Sequence, residues 1–507
     1  MIIALTFLAT ILFVLIKIAV TKHRKMKYVR HLPAPSEYPI IGSSISFVGK
    51  NNQQILEDTL KMCADLSMPF RLWFGQYLVL FVDKPEDCQT ILNAETCLDK
   101  SFVYRFLQKD VALFTAPANV WRPHRKMLNS TFNFNILNSF LPIFNDKAKL
   151  MVTNMEKELG KDQFDVSTYL FACTLDMVCG TTLGYNVGVQ SGQNQDYLEG
   201  IEKSLTMIAQ RIVNVFHHFD FIYKLTNTYK TERKYLDIAE SLPDRIIKSK
   251  KEEFFATPEK DQDKESDENE NFKTPQIFIQ QLFKLYKKKL VDDTMIKDQV
   301  NLLIFGGNDT SALATSHAIL LLAMHPEVQK RAVKELEEVY DDENTDSDFE
   351  KLSRLPYLEM IVKEAMRLYP VAPFLSRKCS GDTQITDCVI PEDTVIILSV
   401  YHLHRNKEIW GPNADSFDPE NFLPERMAKR HSCCYLPFSS GPRNCLGMKY
   451  AYLSMKTMLS ALLRHYKFST SLKMEDLQWK FEITMKLVNT HLVRVEKRNF
   501  KQSSDKI

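Results

Sequence analysis

Apolar residues fill the first twenty positions almost without a break. Met1 to Val20, MIIALTFLATILFVLIKIAV, is interrupted only by two threonines and Lys17. About 20 such residues cross a bilayer as a helix, so residues 1–20 are expected to be a membrane anchor, with Lys17 near one end reaching for the headgroups. The pattern then changes to TKHRKMKYVR. This basic flank predicts that everything after it stays cytosolic. A cleaved signal peptide fits less well, since no basic residue precedes the apolar run and no small-x-small site follows it. Residues 21–45 read as a basic and Pro-rich connector, in which HLPAPSEYPIIGS (31–43), with Pro33, Pro35, Pro39 and Gly42, is expected to be stiff rather than helical. Helical periodicity dominates from about residue 85 to 340. Strand patterns appear in FRLWFGQYLVLFV (70–82), DTVIILSVYHLH (393–404) and FEITMKLV (481–488). The stretch 258–271, PEKDQDKESDENEN, contains no apolar residue and is expected to be a mobile charged loop; the acidic stretch 341–350 reads as a surface loop. The fold class predicted is mainly α with a minor β portion: one domain over residues 46–498 behind the anchor, and a short tail, 499–507.

Composition narrows the partners. The net charge of +2 over 507 residues offers no concentrated basic surface, which excludes nucleic acid as the expected ligand. Ten cysteines are scattered without a CxxC pair. In a chain this large and cytosol-facing they are expected to be reduced thiols.

Four constellations carry the chemistry. In PFSSGPRNCLG (437–447), Gly441 and Pro442 make a turn and Cys445 stands at the entrance of an amphipathic helix predicted over 447–466. The helix N-terminus is expected to stabilise a thiolate there. Gly447 leaves room for something flat, and Arg443 offers a fork for a carboxylate. Together they suit a haem with its propionates. Zinc is the weaker alternative, because adjacent Cys433 and Cys434 cannot readily chelate one ion and no closely spaced His completes a set. The apolar run 302–326 is expected to cross the core, and Gly306 and Gly307 within it to permit a local opening and a close approach. Asp309 beside them is expected to be desolvated and equipped to donate a proton, with the Thr310 hydroxyl next to it. Glu364 and Arg367, three apart on a predicted helix, share an apolar stripe and read as a buried structural pair. Trp121 and Arg125, four apart, can together hold an anionic group.

In combination these residues resemble the cytochrome P450 family, of the microsomal type and most like family 4 and its insect relatives. The family's FxxGxRxCxG loop is matched by Phe438, Gly441, Arg443, Cys445 and Gly447. Its ExxR pair is matched by Glu364 and Arg367, its WxxxR pair by Trp121 and Arg125, and its [AG]Gx[DE]T[TS] motif by residues 306–311. The resemblance implies a haem b monooxygenase in the endoplasmic reticulum membrane. Cys445 would be the iron ligand, and Trp121, Arg125 and Arg443 the propionate partners. Asp309 and Thr310 would relay protons, and NADPH–cytochrome P450 reductase would be the electron donor, with cytochrome b5 as a further partner. A haem-thiolate peroxide isomerase or dehydratase, and a haem sensor without turnover, are the alternatives. Two positions depart from the pattern. Gly306 stands where family-4 members often carry a haem-esterifying glutamate, so non-covalent haem is expected. Asn421 stands where the family's third triad residue is an arginine. A small apolar substrate is expected, with pocket walls from 101–115 and 205–225; Phe102, Phe106, Phe216, Phe219 and Phe221 there could serve the pocket or pack the core.

Overall fold

The apolar run around residues 302–326 becomes the axis of the molecule, a helix from Asp293 to Met324. At 1.5 Å per residue its 32 residues reach about 48 Å. Asp292 caps its start by accepting the Met295 N–H at 2.8 Å; Pro326, which opens the next helix, lies just past its end. Every side chain from Ser311 to Ala323 is buried, as a helix apolar on all sides requires. The helices Ser167–Thr182, Pro356–Leu368 and Met448–His465 pack around it. The last of these matches the predicted 447–466 to within one residue at each end.

In the computed structural model, residues 2–257 and 277–501 are described; the charged stretch 258–271 and residues 502–507 of the tail lie outside them. Residues 70–82 form two antiparallel strands, Phe70–Phe74 and Tyr77–Val82, turned at Gly75 with φ +59°. The second strand pairs in parallel with Val395–Ser399, which pairs antiparallel with Phe374–Lys378. The strand expected over 393–404 ends at Ser399, where the chain turns helical over Val400–Leu403. The run near 481–488 folds back on itself as a hairpin, Trp479–Glu482 and Thr484–Leu487, with Ile483 at its tip. The mainly helical fold with small sheets agrees with the sequence reading.

The N-terminus differs from it. One helix runs from Ile2 to Val29 and takes the basic segment with it, so the break expected at residue 20 is absent. Its distal end is docked on the domain: Lys25 Nζ donates to the Asp393 carbonyl at 2.7 Å, Lys22 Nζ sits 5.0 Å over the Trp73 ring, and Val29 is buried. These contacts fix residues 21–29 against the domain. Among the described residues no helix is long and apolar enough to cross a membrane, so the spanning role expected of residues 1–20 has no support from the fold.

Candidate active site

The loop before the helix Met448–His465 is built to present one sulfur. The Cys445 N–H donates to the Phe438 carbonyl at 2.9 Å, and the Asn444 N–H to that of Gly441 at 3.2 Å. Gly441 has φ +70°, and a Cβ there would lie 2.2 Å from the Leu92 carbonyl oxygen; glycine alone fits. Cys445 thereby faces a cavity of about 530 Å³, which Phe438 and Gly447 also line. All ten cysteines are free; nine are buried, and Cys445 is exposed onto this cavity. Enclosure nonetheless pushes its thiol up, against the Gly447 N–H and the Arg125 charge, which pull it down. Coordination to a metal ion would favour the thiolate expected there.

The central helix contributes Gly306, Gly307, Thr310, Ser311 and Ala314 to the wall of the same cavity. The two glycines do not open the helix, which stays continuous. They act through space. A Cβ on Gly307 would lie 2.6 Å from a Val178 methyl, so its absence lets the helix Ser167–Thr182 close in, whereas Gly306 meets nothing within 4 Å. The Thr310 hydroxyl donates to the Gly306 carbonyl at 2.5 Å. Asp309 does not line the cavity. It is 1% exposed and turns toward the C-terminal hairpin. There the Thr484 hydroxyl donates to its Oδ2 at 2.8 Å, and Lys486 Nζ lies 3.1 Å from its Oδ1. Asp309 is buried as expected, yet it is half of an ion pair rather than a lone desolvated acid. Two residues adjacent in sequence thus face different neighbours.

One end of the cavity is cationic. Arg125, Arg443, Lys100 and Arg377 line it, and no aspartate or glutamate does so among the described residues. Arg443 donates to the carbonyls of Leu98 and Ala116, both at 2.8 Å, and stacks 4.9 Å from the Trp121 ring. Arg125 holds the Asn444 carbonyl at 2.9 Å and its side-chain oxygen at 2.8 Å. Burial, then the charge of Arg377, pushes Arg443 down to about 10. Burial, then Arg377 and Arg443, pushes Lys100 well below its ordinary value. Cations crowded at one end of an apolar cavity are a receptor for carboxylates. Sequence spacing could not mark Lys100 and Arg377, which meet only because residue 99 bridges to residue 378 across the fold. Farther off, Glu364 and Arg367 are fully buried and paired, and Asn421 Nδ2 donates to Glu364 Oε1 at 3.1 Å. The expected pocket walls are borne out unevenly. The stretch 101–115 contributes Phe102, Tyr104 and Leu107 among others, but 205–225 contributes only Ile212 and Val213. Phe106 is core, and Phe216, Phe219 and Phe221 are exposed.

The family model for Cytochrome P450 matches residues 32–492. The chain belongs to the cytochrome P450 family. It is similar to Cytochrome P450 4c21 of Blattella germanica, 31% identical with 97% of each chain covered. Human Cytochrome P450 4V2 is also 31% identical, over 94% of this chain and 91% of the relative. Cytochrome P450 4c3 of Drosophila melanogaster is 29% identical over 97% and 94%. With the family comes its activity, haem-thiolate monooxygenation.

The residues fit a haem. Among the described residues no group of three or more His, Cys, Asp and Glu side chains could enclose an ion. The donor set is a single sulfur, which would suit an iron whose remaining donors come from a macrocycle and does not suit zinc. Gly306 and Gly447 leave open space on the two sides; a Cβ on Gly447 would stand 4.0 Å from the Cys445 sulfur. Cys445 would hold the iron, and Arg125, Arg443, Lys100 and Arg377, with Trp121 stacked on Arg443, would hold the propionates. Bound there, haem supplies the activation of dioxygen. The protein excludes water with its apolar wall and keeps the Thr310 hydroxyl at the cavity.

Proposed function

We propose that this cytochrome P450 inserts one atom of dioxygen into a small apolar molecule, a fatty acid, hormone or foreign compound. Its electrons would come from NADPH through the membrane-bound reductase, with cytochrome b5 as a further donor. The observation that carries the reading is one cavity lined by Cys445 and Thr310 together with Phe47, Leu72, Phe74, Phe102 and Phe481. Such a lining recognises apolar surface. Asp309 and Thr310 would handle the protons. The peroxide-rearranging and sensor alternatives need neither the Thr310 hydroxyl at the cavity nor a carboxylate behind it, and no feature of the site favours them.

The N-terminal helix would anchor the protein in the endoplasmic reticulum membrane with the domain on the cytosolic side. Support comes from the apolar run with its basic flank, and from Leu5, Leu12, Phe13, Ile16 and Val20, all exposed on the helix. Phe219, Phe221 and Leu225 form a second exposed apolar patch that lipid would cover. In sealed microsomes supplied with external NADPH and reductase, hydroxylated product is expected from a lipid or terpenoid panel, and a C-terminal tag should be cut by external protease. Turnover without reductase sinks the electron route; a protected tag sinks the topology.

The haem would be held without a covalent bond. An ester needs a carboxylate at the cavity, and Gly306 supplies none. Acid–organic extraction is expected to strip all the haem from the polypeptide; haem that stays with the chain refutes this.

A further inference from the structure

The C-terminal hairpin brings to Asp309 two residues that no sequence motif marks. Thr484 lines the cavity and donates to Asp309 Oδ2 at 2.8 Å. Lys486 Nζ lies 3.1 Å from Asp309 Oδ1 and 3.8 Å from Glu482 Oε2. Glu482 is held in turn by Lys480 Nζ at 2.9 Å and by the Thr206 hydroxyl at 3.0 Å. Asp309 and Glu482 are buried, but the Lys480 side chain is 26% exposed. A line of ionisable groups, Thr484, Asp309, Lys486, Glu482 and Lys480, therefore leads from the cavity wall to the surface without crossing the space a substrate would fill.

We propose that this line is the proton route into the cavity and that Lys486 is the positioning residue that maintains it, by holding Asp309 on the hairpin within reach of Thr484. A proton taken up by Asp309 reverses its hydrogen bond with Thr484. The Thr484 hydroxyl then gives its own proton to an acceptor in the cavity and receives the one from Asp309. Asp309 is left an anion beside Lys486, whose ammonium supplies the next proton to it and is itself reprotonated from solvent through Lys480 and Glu482.

The surroundings suit that role. Lys486 is faced by Asp309 from the central helix, Glu482 from the hairpin and Glu202 from the helix Gln195–Val213, with the Phe171 ring 5.6 Å away. Tyr197 of that same helix faces Asp309. Burial pulls the ammonium down, and the three carboxylates, led by Asp309, more than reverse it. A cation so held keeps its charge through the neutral range and fixes the anion opposite.

The proposal rests on the monooxygenase reading, and carbon monoxide on the reduced, haem-loaded full chain tests the two separately. A missing red-shifted Soret band defeats the reading itself. With that band present, the infrared C–O stretch is followed between about pH 5 and about pH 9. The wild-type stretch is expected to stay constant. In Lys486→Met the carboxylate has lost its counter-ion, and the stretch is expected to acquire a one-proton titration. Lys486→Arg should restore the flat profile, and Asp309→Asn added to Lys486→Met should abolish the titration. A flat profile in Lys486→Met, or a titration that survives Asp309→Asn, overturns the proposal. Should Lys486→Met take up no haem, Thr484→Val decides. Its reductase-supported NADPH oxidation is expected to fall at least about tenfold with the Soret band intact, and an unchanged rate overturns the proposal.

Discussion

Cys445→Ala is expected to lose the red-shifted ferrous–CO Soret band and all monooxygenase turnover. The fold should survive, because the loop is shaped by the backbone bond from Cys445 to Phe438 and by Gly441 at positive φ, neither of which involves the sulfur. Circular dichroism should match the wild type. The rate loss is expected to exceed about 10³-fold, or about 4 kcal/mol of barrier. No neighbouring donor can substitute, since Cys445 alone among the cysteines is exposed and opens onto the cavity. A variant that kept the band would end the assignment of Cys445 as the iron ligand.

What the sequence made legible follows the range of the physics involved. The tight loop at 437–447 and the stripe carrying Glu364 and Arg367 are local patterns, and both are found where spacing placed them. Gly306 and Gly307 were recognisable as sites of close approach, but the neighbour that needs the space, Val178, sits 129 positions upstream of Gly307 and could not be named. The partner of Asp309 was out of reach for the same reason. Its counter-ion, Lys486, arrives from a hairpin 177 positions later, and burial read from flanking residues cannot report a distant partner. Lys100 and Arg377 belong to no motif, because their value lies in a charge cluster that exists only after the chain has folded. The exposed Phe216, Phe219 and Phe221 illustrate the converse: aromatic content alone does not distinguish a pocket wall from a surface.

Arg367→Ala is the substitution expected to cost most in stability. The guanidinium uses all five of its N–H donors. Nε and Nη2 each donate to the Glu364 carboxylate at 2.7 Å, Nη1 to the carbonyls of His404 and Ala414 at 2.7 and 2.6 Å, and Nη2 also to that of Ser416 at 3.1 Å. Both partners are fully buried. Removing the arginine strands a buried carboxylate, a loss of about 3–5 kcal/mol against a total stability of about 5–15 kcal/mol. Haem-loaded protein should fail to accumulate. Arg367→Lys should rescue little, since three donors on a point charge cannot span a carboxylate and three carbonyls. The third position of the triad explains why the pair tolerates Asn421. Its amide donates to Glu364 Oε1 at 3.1 Å, the Asp418 N–H adds a second bond to the same oxygen at 2.9 Å, and Arg430 braces Asn421 by donating to its carbonyl at 2.6 Å. Neutral donors take up what a third arginine would otherwise hold, while the Arg430 charge stays one residue removed and packs 4.3 Å over the Trp410 ring. Arg430→Ala is accordingly expected to lower stability by a smaller amount, about 1–3 kcal/mol, read as a drop in the urea midpoint of haem-loaded protein. Equal losses in Arg367→Ala and Arg430→Ala would contradict this division, because they would make Arg430 a direct member of the charged core rather than a brace behind Asn421.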